Sequence, residues 1–195
     1  MTPLPLLVCF PLLAQSPEPA HDGLDPLRLE ALVPASLADV WRCWSTPEGA
    51  QTFFAPHVEI ELALHGRLEV WWSPDAPPGQ RGAEELRVLA FVPERMLAFE
   101  WSAPPQFARA RAERTFVVVE LEPLEGKGTR VVLHHVGFAE EARKRPELAA
   151  EWREVREYFQ GAWPTVLAAL EQRFRSGPLD WRAFLASQAP AAEGR

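Results

Sequence analysis

Cysteine is scarce: Cys9 and Cys43 are the only thiols in 195 residues. Two cysteines cannot staple a small scaffold, and they do not sit at metal-ligand spacing, so disulfide frameworks, zinc ribbons and dithiol redox sites are excluded. Basic residues are outnumbered, with 20 Lys and Arg against 27 Asp and Glu for a formal net charge of -7. A dedicated nucleic-acid binder needs the opposite balance to face phosphates. The apolar run at residues 3–14, PLPLLVCFPLLA, falls short of the about 20 residues a membrane-spanning helix requires, so no integral span is expected. The chain has no G-x-S-x-G elbow, no H-E-x-x-H pair, no Walker-type loop and no G-x-G-x-x-G fingerprint, and no metal or cofactor is expected.

What is present is burial. Hydrophobic residues make up 47% of the chain, with eight Trp and eleven Phe, enough for one good core in a single domain. The first ionisable side chain is Glu18, and the uncharged leader has the length of a secretory h-region, with Ala14 or Ser16 at the small-residue cleavage site. Against that, the leader has no Lys or Arg, and Pro5 and Pro11 interrupt it. Residues 1–16 therefore read as a signal for export, periplasmic or secreted, or as a short arm ahead of a cytoplasmic domain. Residues 17–26 read as a linker, 27–175 as the domain, and 176–195 as a partly disordered extension.

Period-two alternation marks strands. Leu27, Leu29 and Ala31 alternate with Arg28 and Glu30. Ser36 then stands at the cap of a helix carrying Leu37, Val40, Trp41 and Trp44, with Asp39 at the capping-box position, and Cys43 on it reads as a small core residue. Pro47 opens a second short helix expected to carry Phe53 and Phe54. Residues 57–72 read as a tight hairpin turning at Gly66, 84–92 and 96–102 as a second strand pair, and 113–121 and 129–137 as a third, for seven strands in all. Leu148, Trp152, Val155, Phe159, Trp163, Val166, Leu170 and Phe174 step by three or four, the spacing of one helix face. Pro164 is expected to kink that helix near Gln160 or to start a separate one. A short helix over 179–188 presents Trp181, Phe184 and Leu185, and the tail after Ser187 is expected to be disordered.

This order predicts an α+β domain, a curved antiparallel sheet covered on one face by a long terminal helix. Val40-Trp41, Thr46-Pro47-Glu48, Phe53-Phe54-Ala55-Pro56, Val58-Glu59-Ile60-Glu61-Leu62, the run Pro93 to Trp101, Gly128-Thr129-Arg130, His135-Val136-Gly137-Phe138 and Trp163-Pro164-Thr165-Val166-Leu167 follow one another in order. Across roughly residues 27–175 this succession resembles the heat-shock-protein-90 ATPase activator homologues, of the START-like (SRPBCC) superfamily. The resemblance implies the helix-grip fold, in which the sheet wraps the last helix. It departs at His65-Gly66, where the family has a glycine pair, at Phe53-Phe54, where it commonly has Trp-Phe, and at an Arg- and Glu-rich insert over 140–157.

A sheet bent around a helix leaves a space that aromatics either line or fill. Trp72, Phe99, Trp101, Phe159 and Trp163 are the candidate ligand contacts, each weighed against a plain packing role. His134 and His135 point to opposite faces of a strand and cannot share a metal. His135, if inward, is the sole candidate acid or base, or else a hydrogen-bonded core histidine. Glu84-Glu85 and Glu140-Glu141 read as solvated loop-edge pairs. Arg109, Arg111 and Arg114, beside Phe107, read as a solvated basic loop, with recognition of an anionic head group as the alternative. Three functions follow: a binding module for a small hydrophobic molecule such as a lipid or aromatic metabolite; an enzyme of the aromatase/cyclase kind using His135; and, by resemblance, a chaperone partner.

Overall fold

The computed structural model describes residues 23–188, with side chains to residue 186. The proposed leader and the last seven residues lie outside the described residues. Strand β1 (Leu27–Val33) is followed by helices α1 (Leu37–Ser45) and α2 (Pro47–Ala50). Strands β2 (His57–Ile60), β3 (Arg67–Trp71), β4 (Gly82–Val92), β5 (Met96–Trp101), β6 (Thr115–Leu124) and β7 (Gly128–Val136) come next. Helices α3 (Phe138–Lys144), α4 (Ala149–Ser176) and α5 (Trp181–Gln188) complete the described residues.

Local chemistry explains the helix starts. The Ser36 hydroxyl accepts the Asp39 N–H at 3.2 Å and donates to the Asp39 carboxylate at 2.6 Å, satisfying a helix-terminal donor. Thr46 serves both short helices: its hydroxyl donates to the Arg42 carbonyl at the end of α1 and accepts the Gly49 N–H in α2.

The seven strands form one antiparallel sheet in the order β1-β7-β6-β5-β4-β3-β2. Its registers put Leu27, His135, Val117, Phe99 and Val88 in one inward row, all buried. Leu133, Val119 and Leu97 form the next. Pairing irregularities on both sides of β4, between Leu68 and Val70 and between Val88 and Ala90, add twist and bend the sheet. From α4, Trp152, Val155, Phe159, Trp163, Leu167 and Leu170 are buried in the core. On the opposite face Arg130 bridges Glu30 and Glu122, and His134 meets Glu120, a solvated ladder that contributes little stability.

Four expectations need correction. Residues 57–72 are not a tight hairpin: β2 ends at Ile60 and residues 61–66 form a loop. The Ala63 N–H turns back to the Glu61 carbonyl, the His65 N–H bonds the Val88 carbonyl, and His65 sits at φ 59, so the ladder ends early and Leu64 is exposed. Phe53 and Phe54 lie in the turn after α2, not on it. Helix α4 runs unbroken past Pro164. That residue and Gln160 are both exposed, so water can satisfy the carbonyl that proline leaves without a donor. Finally, Leu167 takes the core position expected for Val166. The insert over 140–157 is accounted for by most of α3, a 3-10 turn at Pro146–Leu148 and the first turns of α4.

Candidate functional site

Between the bent sheet and α4 lies a cleft of ≈ 420 Å³, large enough for a drug-sized molecule. Four groups of residues build it. The turn after α2 supplies Phe53 and Phe54; the residue following β3 supplies Trp72 and the end of β5 supplies Trp101; α4 supplies Phe159, Ala162, Trp163 and Val166; Leu179, Trp181 and Phe184 come from the carboxyl-terminal segment. Phe54 is the hub of the floor. Its ring stacks on Trp101 at 5.8 Å and on Phe53 at 5.7 Å, and meets Trp72 edge to face at 5.9 Å. Trp72 is fixed as well by its indole N–H donating to the Phe54 carbonyl at 3.0 Å. Gly82 is required beside it: a Cβ there would stand 2.2 Å from the Val70 carbonyl oxygen and 2.9 Å from the Trp72 ring.

One wall is polar. Arg111 donates to the Ala103 and Gly82 carbonyls, both at 2.6 Å, and reaches Glu84 at 3.4 Å. Glu84 also accepts the N–H groups of Gly79 and Arg81, each at 2.9 Å, and the Arg81 guanidinium. Burial opposes the Glu84 charge, but the Gly79 N–H, the Arg81 side chain and the Arg81 N–H outweigh it and hold the carboxyl below the usual carboxylate range. Burial lowers the affinity of Arg111 for its proton, against the pull of Glu84. Glu84 is thus a buried keystone rather than a solvated loop-edge residue. Arg111 is a brace joining the 103–112 loop to β4, while Arg109 is exposed.

The sequence-derived candidates divide. Trp72, Trp101, Phe159 and Trp163 line the cleft. Phe99 lies beneath Trp101, with ring centroids 5.7 Å apart, buried in the core and not among the lining residues. His135 is also inward, yet it is fully buried and absent from the lining. Its Nδ1 accepts the Trp163 indole N–H at 3.0 Å, and its Nε2 lies 2.8 Å from the Thr115 hydroxyl, which itself donates to the Trp101 carbonyl. An indole N–H only donates, so the neutral ring carries its proton on Nε2 and gives it to Thr115. Burial pushes the His135 pKa down to about 3. The imidazole is neutral, has both nitrogens engaged and serves as a packing hinge between β7 and α4.

Residues not expected as ligand contacts complete the cleft. Phe54, Gly82 and Val166 line it, as does the Trp181–Phe184 pair. The Phe-Phe pair and the apolar residues of 179–188 were visible as hydrophobic signals, but not as cleft walls. Among the described residues, the titratable groups lining the cleft are Arg81, Arg111 and Tyr158. Burial raises the Tyr158 phenol, leaving it a protonated donor at the rim. No His, Cys, Asp or Glu joins them, so the lining is chiefly apolar surface with a few hydrogen-bond donors. Among the described residues there is also no group of His, Cys, Asp and Glu arranged to hold a metal ion, and no helix long and apolar enough to cross a membrane.

Comparison with known proteins places this architecture. Protein MLL2253 from Mesorhizobium loti superposes with a TM-score of 0.57 at 19% identity, over 80% of this chain and 100% of that one. The Aha1 dimer from Colwellia psychrerythraea gives 0.53 at 13% identity, over 78% and 98%. DynU16, from the dynemicin biosynthetic locus, gives 0.53 at 17%, over 79% of this chain and 48% of its own length. At such identities the likeness is one of fold. No curated protein matches this sequence. Residues 34–175 match the family model described as Activator of Hsp90 ATPase homolog 1-like protein, and the chain belongs to that family.

Proposed function

We propose that this protein is a binding module whose cleft holds a small hydrophobic molecule, a lipid or an aromatic metabolite. The observation that carries this reading is the unfilled ≈ 420 Å³ between sheet and α4, walled by aromatic side chains and free of carboxylate and imidazole. Trp72, Trp101, Phe159 and Trp163 are the contacts for the ligand body. Each aromatic face offers a large, stiff apolar surface at small entropic cost. The aromatase/cyclase reading loses its candidate base, because His135 is engaged on both nitrogens and lies outside the lining.

Gentle purification followed by native mass spectrometry, with a lipid and polyketide panel, tests the reading. Retention of a copurified small molecule is expected; an empty protein that binds nothing in the panel would overturn it. Ala162→Trp, which fills the cleft from α4, is expected to abolish retention.

Family membership carries a second reading, stimulation of the heat-shock-protein-90 ATPase, decided by an ATPase assay with the cognate chaperone. We further propose residues 27–188 as one folding unit, since the segment after α4 docks on the turn after α2. The export reading is tested by amino-terminal sequencing of the expressed protein: a start near residue 15 or 17 supports cleavage, and an intact Met1 opposes it.

A further inference from the structure

The family match ends at residue 175, yet the cleft does not. Helix α4 terminates at Gly177, which adopts φ 98, and Pro178 prevents the helix from resuming at once. The chain then returns to the turn after α2. The Leu179 N–H donates to the Thr52 carbonyl at 2.9 Å, and the Trp181 indole N–H donates to the Gln51 carbonyl. From α4, Arg173 Nε reaches the Thr52 hydroxyl at 3.2 Å. Asp180 starts α5 by accepting the Ala183 N–H at 3.0 Å.

This seating has a consequence for two aromatic rings. Trp181 and Phe184 meet edge to face at 5.7 Å, are half-buried, and line the cleft. The Trp181 indole N–H is spent on the Gln51 carbonyl, which seats its ring, and both rings border the cleft across from aromatics of the sheet and α4.

We propose that α5 is a ligand-contacting wall, in which Trp181 and Phe184 cover a flat, aromatic ligand body held in the cleft and so determine which ligands fit. This rests on the cleft being a binding site. A ligand enclosed on this side loses water from both faces, and the two rings contribute their part of that burial.

The probe is N-phenyl-1-naphthylamine, a neutral aromatic whose emission rises in apolar surroundings, titrated into the full chain. Trp181→Ala/Phe184→Ala is expected to weaken binding about tenfold while the far-ultraviolet spectrum is unchanged. Leu185→Ala, on an exposed position of the same helix, is expected to leave it unchanged. Parent-like affinity in the double variant, within about twofold, overturns the wall. If Ala162→Trp abolishes binding in the same series, the cleft reading stands without it. A parent that does not bind the probe overturns both. Should the double variant unfold, hydrogen exchange of the parent decides. Slower exchange of α5 amides on adding probe supports the wall, and unchanged exchange overturns it.

Discussion

The indole N–H of Trp163 in α4 donates to Nδ1 of His135 in β7 across 3.0 Å, joining the long helix to the sheet through a buried neutral imidazole. Trp163 also lines the cleft, so the hydrogen bond that fixes the helix fixes part of the floor.

That relationship predicts a pH dependence. His135 has its pKa lowered from 6.5 to about 3 by burial, so between these values the unfolded chain binds the proton that the folded chain refuses. Its contribution is present above the unfolded value and is lost as pH falls, at up to about 1.4 kcal/mol per pH unit. Urea unfolding of the parent from pH 7 to 4 should show this slope. His135→Phe should lower stability at pH 7 by about 1–3 kcal/mol, because the Trp163 N–H is left unpaired, and should flatten the slope.

Glu84 predicts a different loss. Its buried carboxylate serves Arg81, Arg111 and two backbone N–H groups. Glu84→Gln removes the charge and leaves Arg111 poorly compensated, at a cost of about 2–3 kcal/mol. Limited proteolysis should then cut the released 103–112 loop, whereas Glu85→Gln, at an exposed position, should leave the digest unchanged. The carboxyl lies low in the folded state, so its stabilisation is present above the unfolded carboxylate pKa and is lost as pH falls through the folded one.

Gly82→Ala places a methyl group 2.2 Å from the Val70 carbonyl oxygen and 2.9 Å from the Trp72 ring. Neighbouring backbone must move, at about 1–3 kcal/mol. Thermal unfolding should register the loss, and the near-ultraviolet spectrum should change as Trp72 leaves its seat; an unaltered spectrum would contradict the account of that wall.

Much of the architecture was legible because it is written in local pattern. Alternation at Leu27, Leu29 and Ala31 gives β1 because successive side chains of a strand face opposite ways, and one face is always core. Ser36 and Thr46 mark helix starts because capping involves only near neighbours. The spacing from Trp152 to Leu170 announced α4. Alternation left the face of His135 conditional on that of Val131 and Leu133, and the sheet turns all three inward.

The occupation of His135 was not, since Thr115 and Trp163 lie 20 and 28 residues away in sequence. Glu84 looked like a loop-edge carboxylate because its half-buried arginine partner Arg111 is 27 residues distant. The choice of Leu167 over Val166 depended on the rotation of α4 against the sheet, which a three-or-four spacing leaves open. Residues 179–188 showed apolar content but not the turn at 51–52 on which they rest. Sequence by itself determined the elements, their order and their apolar faces, because these follow from interactions spanning a few residues. Only the tertiary structure decided which aromatics became walls and which became packing, because a cleft is the space left when surfaces distant in the chain meet imperfectly.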